Sequence, residues 1–353
     1  MTFRILGTPQ RYVQGPGAIE RLGAEIEIAG GGPVAVIADP VAQGLLGETV
    51  AAQAPQARML AFSGECTAGE IDALAEQAGD VRLIVGMGGG KAIDTAKGVA
   101  IKRDLPVGIV PTIASNDSPT SHIAVIYTPD HAVEGVWHMR ANPFFVLVDT
   151  AVIAGAPRRF LAAGIGDAMS KPYELAGAIA GGGLNFFGGA PTELTQAIVE
   201  RASEILLRDG PAAMKATNPD DSFERVVEAT ILLSGLAFES GGLSIAHSMV
   251  RGLSRMPELS HLLHGEMVAL GTLTQIAAGQ GDDAELDRLI AFFDSLGLPT
   301  DFQRFEVTDE AAFHDIATAT LAAPYAGNFI KPLAAADLVK SMQSLNARAK
   351  RRP

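Results

Sequence analysis

Residues 86–97 read Gly-Met-Gly-Gly-Gly-Lys-Ala-Ile-Asp-Thr-Ala-Lys and join the apolar triplet Leu83, Ile84 and Val85 to an Ala-rich stretch at 92–100. The triplet predicts a buried strand and the Ala-rich stretch a helix, linked by a turn made almost wholly of glycine. A turn without side chains lets backbone N–H groups approach a phosphate, and the helix behind it presents its positive end to the same place. The run fits neither common phosphate fingerprint: Lys91 replaces the third glycine of G-x-G-x-x-G, and Ala92 stands where a Walker loop carries Ser or Thr. Two readings stand on the residues alone, a cradle for a nucleotide or phosphate ester and a tight structural turn.

Around this run, short β-branched segments alternate with Ala-rich stretches up to about residue 150, the pattern of strands and helices wound into a parallel sheet. The expected strands are 34–38, 58–62, 83–85, 107–110, 123–127 and 145–148. In open α/β sheets ligands bind at the carboxyl ends of strands, which here carry Asp39, the glycine turn, the segment P-T-I-A-S-N-D-S-P-T-S at 111–121 and Asp149. After Pro157 the chain turns to long apolar periodic stretches at 158–180, 191–208, 221–238, 242–255, 262–280, 284–296 and 333–349, which predict a helical half. Gly155 and Pro157 break any continuing element, so the expected division is 1–155 as an α/β domain and 156–353 as a helical domain.

The 353 residues, 48% hydrophobic and 19% charged, suit a globular chain of two domains. A net charge of −13 argues against a nucleic-acid partner, because no basic stripe exists to displace counterions from phosphates. Cys66 is the only cysteine, which excludes an internal disulfide, a cysteine-ligated zinc and an iron–sulfur cluster within one chain, and makes a reducing cytoplasm the natural compartment. The first ten residues lack a charged head and apolar core, so no secretion signal is expected. The most membrane-like stretch, 175–190, is glycine-rich and contains Asn185, short of a span of about 20 apolar residues.

Asp167, His247 and His264 stand out as metal-ligand candidates, since two imidazoles and a carboxylate suit zinc or iron(II) with positions left open. The residues alone also allow Asp167 to cap a helix, His247 to be a core histidine, and His261 to pair with His264 one turn away. Asp117, in a loop of small residues, suits a substrate hydroxyl or an Asx turn before Pro119. Asp39 suits an adenosine ribose, although it precedes the glycine turn by about fifty residues where the usual fingerprint places its acid about twenty residues after. His122, His131, His138 and His314 lack usable spacing, and nothing near Cys66 in sequence would activate its thiol.

Taken in order, Y-V-Q-G at 12–15, G-E-C-T at 64–67, the glycine run, P-T-I-A-S-N-D-S-P-T-S, V-L-V-D-T at 146–150, G-I-G-D-A at 164–168, F-E-S-G-G-L at 238–243 and H-G-E-M-V-A at 264–269 resemble the glycerol dehydrogenases of the iron-containing, or group III, alcohol dehydrogenase superfamily. The resemblance implies an α/β N-terminal Rossmann-like domain with a parallel sheet and an all-α C-terminal domain, the dehydroquinate synthase-like fold. It implies NAD and a divalent metal, zinc before iron, in the service of hydride transfer between a small polyol and NAD. It also implies a homo-oligomer. The family's metal ligands fall on Asp167, His247 and His264. Its pyrophosphate loop falls on Gly88, Gly89, Gly90, Lys91, Ala92, Ile93 and Asp94, and Thr112, Ser115, Ser121, Ile123 and Tyr127 match positions lining the rest of the cofactor. Asp39 matches the acid at the ribose, and Asp117 an aspartate beside the substrate's hydroxyl groups.

Three departures bear on the substrate. S-M-V-R-G at 248–252 replaces a pattern like A-I-H-N-G, S-K-P-Y-E at 170–174 replaces one like A-T-W-x-E, and A-P-Y-A-G-N-F-I-K at 323–331 replaces a segment that carries I-H-N. The added charge of Arg251 or Lys171 favours a hydroxy acid or a polyol phosphate as the alternative to glycerol.

Overall fold

The computed structural model describes residues 2–351. Eight strands form, β1 (Arg11–Gly15), β2 (Val34–Ala38), β3 (Ala57–Ala61), β4 (Leu83–Gly88), β5 (Val107–Pro111), β6 (Ile123–Tyr127), β7 (Val133–His138) and β8 (Phe145–Asp149). Six of them make one parallel sheet in the order β1-β8-β5-β4-β2-β3. Every residue of β2, β4, β5 and β8 is buried, as expected of strands covered by helices on both faces. A core of Val34, Val36, Leu83, Val85, Val110, Phe145 and Leu147 packs against Leu22, Ile26, Leu46 and Val50 from the helices Leu22–Ile28 and Pro40–Gln53.

Two features depart from the expected strand list. The strand β6 does not enter the parallel sheet but pairs antiparallel with β7 in a separate two-stranded ribbon. β7 and the sheet's outer strand β1 were not anticipated, because V-E-G-V-W-H is interrupted by Glu134 and Gly135 and R-Y-V-Q-G is half-buried along its length, so neither carries an apolar run.

Helices dominate from Arg158 onward, and the expected helix at 158–180 is broken at Met169–Ser170 into Arg158–Ala168 and Lys171–Gly181. A helix at Glu310–Leu321 also forms, outside the expected helical stretches. The chain divides into an α/β unit of Gly7–Pro157 with Ala216–Gly235, and a helical unit comprising Arg158–Lys215, the segment from Leu236 onward and the N-terminal residues before Gly7. The division is therefore not the single cut at 155/156 drawn from composition: residues 216–235 return to the α/β unit. Glu224 ties them there, accepting hydrogen bonds from Gln14 Nε2 at 2.7 Å and Thr150 Oγ1 at 2.6 Å. Among the described residues no single helix is long and apolar enough to cross a membrane.

Candidate active site

In the α/β unit the sheet order brings together what the sequence holds apart. β2 and β4 are neighbours with Ala38 opposite Met87, so Asp39 and the glycine turn leave the sheet side by side at its carboxyl edge. From this edge the chain turns outward to β3 after β2 and the opposite way to β5 after β4, which makes it the switch point where such sheets bind ligands. Gly88 sits at φ +144°, and a Cβ there would lie 2.3 Å from Asp39 Oδ2, so only glycine fits. The helix Gly90–Arg103 opens behind it with Gly89 as N-cap and no side-chain cap, leaving its first N–H groups for an anion. Asp39 spends Oδ1 on the Ala42 N–H at 2.8 Å.

The remaining residues matched to cofactor positions are placed as follows. Thr112 is buried and its N–H donates to the Gly88 carbonyl at 3.1 Å, locking the 111–121 loop to the glycine turn. Ala92 and Ile93 are buried in the helix, while Lys91 is exposed, pairs with Glu65 at 2.5 Å and lies over the half-buried Tyr127 ring. Asp94 faces inward, accepting from Ser118 Oγ at 2.6 Å and the Val125 N–H at 3.1 Å; burial raises its pKa although Lys97 opposes the shift. Ser121 Oγ is held by Lys97 Nζ at 3.1 Å, Ile123 supplies its carbonyl to the same ammonium at 2.8 Å, and Ser115 is half-buried. Lys97 is thus a fully buried staple, which also binds the Ser118 carbonyl at 2.6 Å, and no spacing signal distinguishes it from a surface lysine of the same helix. Asp117 is buried and accepts from Ser234 Oγ at 3.2 Å. Burial pushes the Cys66 thiol up to about 12, with Asp94 adding to the effect, so it is not a reactive thiolate.

In the helical unit, three helices converge because glycines remove the side chains between them. Gly166 precedes Asp167 and Gly265 follows His264; a Cβ on Gly265 would lie 1.9 Å from the Ala163 carbonyl oxygen, and one on Gly166 would lie 2.7 Å from the Gly265 oxygen. The helix Ile245–Leu253 closes on His264–Gln275 in the same way, since a Cβ on Gly271 would lie 2.4 Å from the oxygen of Ala246, the residue before His247. One ligand candidate stands beside each of these contacts. As a result one ligand atom each from Asp167, His247 and His264 lies within 4.8 Å of the others.

The trio fits a divalent metal. His247 Nε2 is 3.3 Å from Asp167 Oδ1, the edge expected of a tetrahedral site with bonds of about 2.0–2.1 Å, and His264 Nε2 is 4.0 Å from Oδ2. Asp167 is fully buried, and its Oδ2 has no hydrogen-bond partner, a cost that a cation would relieve. Glu174 supports the arrangement from behind: it is fully buried, accepts the Ser244 and His247 N–H groups on Oε1 at 3.0 and 2.9 Å, and lies 2.5 Å from His247 Nδ1 on Oε2. That last bond keeps a proton on Nδ1, so that loss of the Nε2 proton leaves a lone pair directed at the site. Burial, with Lys171, would lower the His247 pKa, but the Glu174 and Asp167 carboxylates together outweigh them and raise the group to about 9. Burial would likewise raise Asp167, and Lys171 with the two histidines overturns this and holds it well below the carboxylate range. Sequence reading gave Glu174 no role; its position seven residues after Asp167, two helical turns on, was the available signal.

His261 is not part of this cluster and stacks edge-on against Phe305. His122 and His138, unpartnered in the sequence, meet each other at 3.4 Å. Arg251 is exposed and donates to the Ala322 carbonyl at 3.4 Å, whereas Lys171 is buried and touches both Asp167 and His247.

A family model described as iron-containing alcohol dehydrogenase matches residues 9–150. Glycerol dehydrogenase of Pseudomonas putida is 37% identical over 332 residues, 90% of each chain, and hydroxycarboxylate dehydrogenase A of Escherichia coli K12 is 31% identical over 268 residues, 72% of this chain and 71% of that one. A solved structure of a probable glycerol dehydrogenase from Sinorhizobium meliloti 1021 matches with a TM-score of 0.92 at 35% identity, covering 98% of this chain and 99% of the other. The parallel sheet with its helical half is the dehydrogenase fold that the sequence motifs pointed to, and the chain belongs to the iron-containing alcohol dehydrogenase family. It is an NAD-dependent, glycerol dehydrogenase-like oxidoreductase acting on a small molecule.

Proposed function

We propose that the enzyme interconverts glycerol, or a closely related vicinal diol, with the corresponding hydroxyketone, and that Asp167, His247 and His264 hold its divalent metal. The observation that carries this reading is the buried, unpartnered Asp167 Oδ2 beside two imidazoles whose helices meet glycine to backbone. When bound, a divalent ion supplies Lewis acidity that eases loss of the alcohol proton, and carboxylate with imidazole suits zinc or iron(II), zinc being our assignment. Asp167 contributes the negative charge, Glu174 fixes the His247 tautomer, and Asp117 accepts a substrate hydroxyl. The glycine turn with the helix N-terminus takes the pyrophosphate, lined further by Lys91, Ala92, Ile93, Asp94, Thr112, Ser115, Ser121, Ile123 and Tyr127. Asp39 accepts from the ribose, and its charge disfavours a 2′-phosphate. A cytoplasmic homo-oligomer completes the proposal.

A second reading keeps the chemistry and changes the substrate to a hydroxy acid or polyol phosphate. It is favoured by the Lys171 ammonium at the ligands and by likeness to a hydroxycarboxylate dehydrogenase. Metal quantification with NADH formation over a panel of glycerol, other diols, 2-hydroxy acids and glycerol phosphates decides between them. His264→Ala is expected to abolish turnover while leaving NAD binding intact; unchanged turnover contradicts the metal assignment, and a protein that reduces NAD with no member of the panel overturns the proposal.

A further inference from the structure

Lys171 is 2% exposed, and a buried ammonium is costly unless it is paired. Its Nζ lies 2.8 Å from Asp167 Oδ1, 3.5 Å from His247 Nε2 and 5.5 Å from the centre of the Phe238 ring, so it touches the side chains of two of the three residues that the proposed function gives to the metal. The break between the helices Arg158–Ala168 and Lys171–Gly181 puts it there. Ser170 turns the chain, its N–H and Oγ both donating to the Asp167 carbonyl, and Lys171 starts the next helix facing back toward Asp167. Nothing in this arrangement is needed to build a helix bend, for which a neutral residue serves as well.

We propose that Lys171 is a tethered cation that holds the ligand set together without metal and opposes the charge of the metal when it binds. The inference rests on the reading of Asp167, His247 and His264 as the metal ligands. Metal coordination requires neutral imidazoles, and the loaded cluster then sets two carboxylates, Asp167 and Glu174, against the ion and the one ammonium of Lys171. That leaves an excess of positive charge in a poorly solvated place, whereas without the ammonium the ion balances the two carboxylates. Removing the ammonium therefore has opposite effects on the two states: the metal-free protein loses a cation that faces its two buried carboxylates, and the metal-loaded protein loses a like-charge neighbour.

The experiment compares metal-stripped wild type and Lys171→Met by zinc titration against a competing chelator at fixed pH, and by the melting temperature of the metal-free proteins. The variant is expected to bind zinc at least about tenfold more tightly and, without metal, to melt at a lower temperature. Zinc affinity equal to or weaker than wild type in the folded variant overturns the inference. If Lys171→Met does not fold, Lys171→Gln carries the same comparison. His247→Ala and His264→Ala run alongside: if they keep wild-type zinc affinity, the metal assignment has failed, and if they lose zinc while the Lys171 variant shows no tightening, only the role of Lys171 has failed.

Discussion

Substituting Gly265 by alanine tests whether close helix packing sets the spacing of the ligand trio. The added Cβ would stand 1.9 Å from the Ala163 carbonyl oxygen, and that oxygen belongs to backbone that has no rotamer to turn away. A carbon and a carbonyl oxygen settle at about 3.3 Å, so the helices Arg158–Ala168 and His264–Gln275 must part by about 1.4 Å at this point. Metal sites tolerate about 0.2 Å in ligand distance, and Gly265 adjoins His264 while Ala163 lies one turn before Asp167. The overpacking itself costs about 1–3 kcal/mol. Gly265→Ala is expected to melt at a lower temperature and to bind zinc at least about tenfold more weakly in a chelator competition, with NAD affinity unchanged. Gly44→Ala is the control, because its Cβ meets nothing within 4 Å in the helix Pro40–Gln53. Wild-type zinc affinity in Gly265→Ala would show that the trio's geometry does not depend on this contact and would refute the reasoning.

Gly88→Ala places a methyl group 2.3 Å from Asp39 Oδ2 at a φ that L residues rarely adopt. It should raise the KM for NAD by about tenfold or more while leaving zinc content intact; an unchanged KM would mean that the turn does not approach the cofactor. The third prediction concerns pH and the buried Glu25, whose carboxylate accepts from Arg11 Nε at 2.6 Å with Arg21 at 3.5 Å. The hydrogen bond from Arg11 holds its pKa below the ordinary value against the opposing effect of burial. The group therefore binds protons less readily folded than unfolded, and its stabilisation is present above the unfolded pKa of about 4.3 and is lost as pH falls toward the folded one. Urea unfolding from pH 7 to 3 should show Glu25→Gln weaker than wild type at pH 7 and converging with it in acid; a constant gap would contradict the assignment.

Much of the candidate site was legible because its proposed chemistry sits on residue types with few other uses. Three consecutive glycines after a buried strand mark a turn that must be bare, and Asp167, His247 and His264 are the residues a hard-to-borderline cation requires. What the sequence could not show is adjacency. Asp39 looked misplaced by about fifty residues, and only the pairing of Ala38 with Met87 makes it the immediate neighbour of Gly88. The return of 216–235 to the α/β unit depends on Glu224, one acid among many, finding Gln14 and Thr150. Lys97 carried no signal of its own in the sequence, and in the structure it binds Ser118, Ser121 and Ile123 while Asp94 binds Ser118 and Val125. Edge strands such as β1 and β7 escaped for a physical reason: a strand half in contact with water has no need of the apolar run that announces a buried one.

The three departures from the family pattern are not equivalent, and the structure separates them by what each touches. Arg251 lies exposed with its guanidinium on the Ala322 carbonyl, so its charge is spent outside the ligand trio. Within the 323–331 segment, the Asn328 carbonyl accepts from Ser244 Oγ and its amide donates to the Leu243 carbonyl at 2.9 Å. Ser244 in turn gives its N–H to Glu174, the carboxylate that orients His247, so Asn328 braces the entry to the His247 helix without reaching a ligand itself. Lys171 alone brings a new charge into contact with ligand atoms. If the trio holds the metal as proposed, a buried ammonium stands beside it, and its most favourable further neighbour is an anion. The choice between a neutral diol and a hydroxy acid or phosphate therefore turns on this one side chain. Lys171→Met should lower kcat/KM for any anionic substrate far more than for glycerol, and an equal effect on both would remove Lys171 from the account of specificity.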